Sequence, residues 1–135
     1  MAFRGVRRGA SLAGMRRAIV LACALCALAS PAPAGEADVV DITVPREAGG
    51  TWRFAVTVRH ADEGWDHYAD RFEIVGPDGT VLGTRVLAHP HVDEQPFTRA
   101  LSGVAIPDDV ETVTVRAHDG VHGFGGETRT VALPR

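Results

Sequence analysis

The chain contains no lysine, and its two cysteines, Cys23 and Cys26, both fall within the first 34 residues. From Gly35 onward there is neither a disulfide nor a thiolate ligand, which excludes a disulfide-stapled scaffold and a cysteine-held metal cluster in that region. Basic residues are scarce there as well. Nine arginines face seventeen acidic residues between positions 35 and 135, a net charge of −8 with histidine neutral. Nucleic acid and anionic lipid are recognised by basic patches, so no nucleic-acid partner is expected. Serine is almost missing: Ser102 is the only one after residue 34, and it stands in no nucleophile elbow. Nucleophilic catalysis by serine or cysteine is thereby poorly supported, and no amphipathic helical pattern or internal repeat is present in this part of the chain.

Long hydrophobic runs are lacking too. The longest, AIVLACALCALA from Ala18 to Ala29, is shorter than the roughly 20 residues that a membrane-spanning helix needs. It follows Arg4, Arg7, Arg8, Arg16 and Arg17 and precedes Ala32-Pro33-Ala34, the small-x-small form of a signal-peptidase site. Residues 1–34 are therefore read as a cleaved signal peptide and residues 35–135 as one domain. The expected location is periplasmic or secreted, with no stable membrane insertion after cleavage. Val20-Leu21-Ala22-Cys23 loosely matches a lipoprotein box, but the apolar run continues past it, so cleavage before Gly35 is preferred. The Arg-Arg pairs leave both Sec and twin-arginine export open.

What the rest of the chain has is period-two alternation broken by Gly, Pro and Asp clusters. The clearest strand sets Trp52, Phe54, Val56 and Val58 against Thr51, Arg53, Thr57 and Arg59, and His60 continues the inward parity. Further strands are expected over Val39–Val44, from Tyr68 through Ile74, and over Val81–Ala88, Phe97–Val104, Glu111–His118 and Thr128–Leu133. Seven strands in about 100 residues predict an all-β, immunoglobulin-like antiparallel β-sandwich.

Strand direction reverses at each connection, so alternate connections share a pole. Those after the second, fourth and sixth strands hold His60 and His67, His89 and His91, and His118 and His122, while the others hold no histidine. All six histidines are expected at one pole. Neutral imidazole suits copper, zinc, iron and nickel. In His89-Pro90-His91 an extended backbone turns both rings to one side, with Pro90 favouring extension. Asp66, Asp93, Asp119 and Glu94 are possible ligands or orienting acceptors. His118 has outward parity and is the poorest ligand of the six. Trp65 is read as a lid over the pole in preference to an exposed binding aromatic. A pH-sensitive or structural histidine cluster, and a chance grouping, remain the alternatives to a metal site.

His60, the pair His67-Tyr68, the turn Gly76–Gly79 and the run His122-Gly123-Phe124 resemble the iron domain of superoxide reductases, including desulfoferrodoxin and neelaredoxin. That resemblance implies an immunoglobulin-like domain with iron held by four histidines and one cysteine. Three positions before His122, where that pattern has its cysteine, this chain has Asp119, and His89 and His91 are additional. Its fold and site location carry over; its activity does not follow without the thiolate. The leader and size also resemble small exported bacterial proteins.

The expectation is a periplasmic metal-binding protein with ligands drawn from His60, His67, His89, His91, His122 and Asp119, copper favoured over iron or zinc. Catalysis is the lesser expectation. The alternatives are a metal-free module that docks a periplasmic partner protein, with an apolar patch around Trp65, Phe97 and Phe124, and a superoxide-reductase-like enzyme with a carboxylate replacing the thiolate.

Overall fold

A computed structural model describes residues 35–135, and the signal peptide expected over residues 1–34 lies outside the described residues. The described residues form seven strands and no helix: β1 (Asp38–Thr43), β2 (Trp52–Arg59), β3 (Ala69–Val75), β4 (Val81–Val86), β5 (Phe97–Val104), β6 (Thr112–Asp119) and β7 (Arg129–Ala132). They make two antiparallel sheets, β1-β2-β5 and β4-β3-β6-β7. Bounds agree with the sequence expectation within a residue or two. β4 ends at Val86, two residues before the expected end, although the Leu87 N–H still reaches the Asp70 carbonyl of β3 at 2.8 Å. β6 runs one residue further than expected, which draws Asp119 inside.

Alternation builds the core. Trp52, Phe54, Val56 and Val58 of β2 are all buried, and their neighbours Arg53 and Arg59 are exposed. From the other sheet, Phe72 and Ile74 of β3 and Val113, Val115 and Ala117 of β6 join the same buried cluster. The two sheets therefore bury their inner faces in one sandwich-like core, as the period-two pattern demands. On the outer face of the second sheet, Glu73 accepts from Arg116 at 2.8 Å and from Arg71 at 3.3 Å, which accounts for a largely buried carboxylate.

The connections sort as the alternation requires. The β3–β4 turn closes through Gly79 N–H to the Gly76 carbonyl at 3.0 Å, with Gly79 at φ +87° where a side chain would be strained. A cleft beside it is lined by Gly76, Pro77, Leu82, Pro107 and Val110, without any histidine. At the opposite end the β2–β3, β4–β5 and β6–β7 connections touch one another. The last is pinned back onto β1, since Gly126 lies so close to the Ala37 carbonyl that a Cβ there would overlap it. Glu127 N–H then reaches Asp38 at 2.8 Å.

Trp52 is 1% exposed and sits under Arg46 and Arg135. Truncating a buried aromatic costs about 3–5 kcal/mol, so Trp52→Ala is expected to leave the domain largely unfolded; a urea midpoint near the wild type would contradict that placement. A second expectation concerns acid. The Thr80 N–H and hydroxyl, both 2.9 Å from the Asp78 carboxylate, hold it below its ordinary value. Because the folded value lies below the unfolded one, this contribution is complete above about pH 4 and is lost as pH falls through the folded value. The urea-midpoint gap between wild type and Asp78→Ala should therefore be open at neutral pH and close in acid. A gap that stays constant would mean the charge is not what holds the turn.

Candidate metal centre

His60 leaves β2 with its side chain still directed inward, and it is fully buried. Its backbone N–H donates to the Gln95 side-chain oxygen at 3.0 Å, which ties it to the β4–β5 connection. Two residues on, the buried Asp62 carboxylate takes His60 Nδ1 at 2.5 Å and the Ala69 N–H at 3.0 Å on one oxygen. The other oxygen takes the His91 N–H at 2.6 Å. One carboxylate thus fixes His60, the start of β3 and the β4–β5 connection together.

His67 arrives from a tight turn. Its N–H meets the Gly64 carbonyl at 3.2 Å and its carbonyl accepts from Glu63 at 2.8 Å, with Gly64 at φ +113°. Its Nδ1 is 3.4 Å from Glu63 Oε2. Asp119, the last residue of β6, is buried. Its backbone exchanges hydrogen bonds with Gly123 at 3.0 and 3.1 Å. Oδ1 accepts the N–H groups of Val121 at 2.8 Å and His122 at 2.7 Å, whereas Oδ2 is buried without any hydrogen-bond partner.

These side chains converge. His60 Nε2 and His67 Nε2 are 3.2 Å apart. Asp119 places Oδ1 at 3.3 Å from His67 Nε2 and Oδ2 at 3.7 Å from His60 Nε2. His60, His67 and Asp119 form a buried group able to hold a metal ion. His122 stands at the rim, its side chain 36% exposed, with Nδ1 3.3 Å from Asp119 Oδ1.

The protons explain why the arrangement is unusual. A carboxylate accepts only, so Asp62 keeps a hydrogen on His60 Nδ1, and Glu63 does the same for His67. With both imidazoles neutral, each Nε2 is then an acceptor, and the two face each other and a carboxylate. Burial pushes the Asp119 carboxyl up, but the His122 and Val121 N–H groups and the neighbouring His60 and His122 imidazoles outweigh it and hold the group below its usual value. The pole therefore gathers lone pairs and negative charge, and positive charge has to sit among them, as a proton or as a metal ion.

The other candidates lie elsewhere. His91 is on the far side of Asp62, Nδ1 3.9 Å from Oδ2, with its ring stacked on Phe97, and His89 is its neighbour at 4.6 Å between centroids. His118, outward as its parity predicts, pairs with Asp70 at 2.7 Å. Asp66, Asp93 and Glu94 are exposed, and Glu94 is held by Arg99 at 3.2 Å. Trp65 leans edge-on against Tyr68 with 70% of its surface in solvent. Of the apolar patch expected for a docking module, Phe97 is core and Phe124 lies under Arg71 and Arg116.

Sequence reasoning missed Asp62 as the orienting carboxylate. Its signal was available: it stands two residues after an inward histidine, and such residues share a side in an extended chain. Each buried donor left unpaired costs about 1–3 kcal/mol. Asp62→Ala strands His60 Nδ1 and two backbone N–H groups, so it is expected to lower the unfolding free energy by roughly 3 kcal/mol or more. Glu63→Ala, at an exposed carboxylate, should change it by about 0.5 kcal/mol or less. Urea unfolding of the two variants side by side checks the contrast, and equal losses would contradict it.

A protein of Halomicrobium mukohataei named "Putative lipoprotein" is 41% identical over 96 residues, covering 71% of this chain and 47% of that protein. The chain thus spans about half the length of the curated relative it matches. No family model matches the chain, and no solved structure matches it.

Proposed function

We propose that this is an exported metal-binding protein whose ion is held by His60 Nε2, His67 Nε2 and Asp119, with His122 able to close the set from the rim. The observation that carries the reading is the convergence of two imidazole nitrogens, 3.2 Å apart, on one buried carboxylate, with Oδ1 at 3.3 Å from His67 and the unpartnered Oδ2 at 3.7 Å from His60. Ligands bound at 2.0–2.1 Å in a tetrahedron stand about 3.3 Å from one another. The His60–His67 and His67–Asp119 separations match that spacing, and the His60–Asp119 separation is slightly longer. Copper is the first choice, since a cysteine-free imidazole and carboxylate set follows the order of divalent affinities that peaks at Cu(II). Zinc and iron follow.

Export is supported by the basic and apolar leader ending at Ala34 and by the lipoprotein name of the relative. The reading includes an immunoglobulin-like sandwich. The order β1-β2-β5 against β4-β3-β6-β7 supports it, with the fourth strand beside the third and not beside β5. A redox role of the superoxide-reductase kind is the further reading, favoured by Asp119 lying within ligand distance of two histidines at the position of that pattern's cysteine. A metal-free docking module is favoured only by Trp65, Val92 and Val121, exposed apolar residues on the three connections of this pole.

The deciding experiment is elemental analysis of untagged protein from a periplasmic extract, followed by copper, zinc and iron titration of the stripped protein. Wild type is expected to carry near-stoichiometric metal, copper foremost. His67→Ala should lose that tight binding with modest loss of stability, because its ring is not part of the apolar core. Equal affinity in wild type and His67→Ala would remove the site as drawn, and wild type that takes up none of the three metals would favour the docking module.

A further inference from the structure

The His89-Pro90-His91 segment was expected to contribute to the same ligand pool, but the structure sets it apart. The His91 backbone is fixed at both ends: its N–H donates to Asp62 at 2.6 Å and its carbonyl accepts from Gln95 at 3.0 Å. Its ring lies flat on Phe97, centroids 4.0 Å apart and planes 12° from parallel. The residue is only 5% exposed, yet both ring nitrogens are buried without a hydrogen-bond partner. Asp62 Oδ2, at 3.9 Å from Nδ1, is beyond hydrogen-bond reach.

Buried polar atoms are ordinarily paired, and an apolar ring would fill this slot without leaving two nitrogens stranded. The use of histidine calls for something that the nitrogens bind. The adjacent side chain is another imidazole. His89 is exposed, its centroid 4.6 Å from that of His91 and its plane tilted by 35°. Two imidazoles bound to one ion at about 2.0–2.1 Å have centroids roughly 4.5 Å apart at the right angle of a square-planar site and roughly 5.2 Å apart in a tetrahedron.

We propose that His89 and His91 hold a second metal ion, of the imidazole-preferring class to which copper and zinc belong, separate from the His60, His67 and Asp119 group. One of its ligands is buried and the other faces solvent, so two protein ligands and water complete an open, exchangeable site. The Asp62 carboxylate is the wall between the two sites, with one oxygen on His60 and the other on the His91 backbone. The outer pair does not depend on the inner group being a metal site.

The test is titration of the metal-stripped protein with Cu(II) and, separately, Zn(II), read as ions bound per chain by calorimetry and by equilibrium dialysis. Wild type is expected to take two ions, one tight and one weaker. His89→Ala, at an exposed position, and His91→Phe, which keeps the stack on Phe97, should each lose the weaker ion and keep the tight one. Conversely, His67→Ala should keep the weaker ion. Thermal melts confirm that each variant is folded. A wild type that binds a single ion, unaffected by His89→Ala, overturns the outer site and leaves the inner one standing. Two ions that both survive His91→Phe overturn it as well. Binding that disappears in His89→Ala but not in His67→Ala overturns the inner site instead.

Discussion

The Asp62 carboxylate is the tie on which the histidine pole depends. Three connections that are distant in sequence have to meet there, and connections carry few apolar contacts of their own to hold them. For the β2–β3 and β4–β5 connections Asp62 supplies the missing constraint by accepting from the His60 ring, the Ala69 N–H that opens β3, and the His91 N–H, while Asp119 holds the β6–β7 connection. A buried carboxylate is costly unless its lone pairs are used, and three donors use them. Gln95 adds a second stitch between the same segments, accepting from His60 and donating to His91. The geometry of the candidate centre follows from these bonds among the residues around it.

Beneath that pole, the two sheets present it with a floor. Alternation along β2 places Trp52, Phe54, Val56 and Val58 in the core, and the same parity carries His60 to its rim. β6 works from the opposite sheet: Val113, Val115 and Ala117 are buried, and Asp119 is the next inward position. The two polar residues that face each other across the pole are thus each the last member of an inward-facing row. Period-two patterning, which forms the core, is also what aims these donors at one another.

This is why so much was legible in the sequence. Parity marked His60 as inward and His118 as outward, and the reversal of strands sorted the histidine-bearing connections to one end. Parity in β6 equally pointed to Asp119, although the strand was expected to end one residue earlier. What the pattern left open was grouping within the pole, because a connection has no fixed period. His89 and His91 belong to a connection held behind Asp62, and only tertiary hydrogen bonds decide that. Trp65, expected as a lid, shows the same limit: it rests on Tyr68 and stays in solvent. The glycine-rich connection before β7 is held away from the site at its far end. Gly126 permits close approach to the Ala37 carbonyl, an anchoring role at the start of β1.

Asp119 divides its labour between its two oxygens. Oδ1 caps the N–H groups of Val121 and His122 and so shapes the connection that carries the rim histidine. Oδ2 makes no bond at all and faces the His60 ring nitrogen. His60 is divided in the same way, Nδ1 bound to Asp62 and Nε2 turned to His67. In both residues the structural bonds use one set of atoms and leave the other set free, so the donor positions are fixed by the fold itself. A centre ordered in this way would spend little conformational entropy on taking up an ion, since the side chains are already held in place. A carboxylate in place of a thiolate also makes the donor set harder. Any chemistry at this pole therefore starts from imidazole and carboxylate electronics, and the soft-ligand tuning that a cysteine provides has no counterpart among these residues.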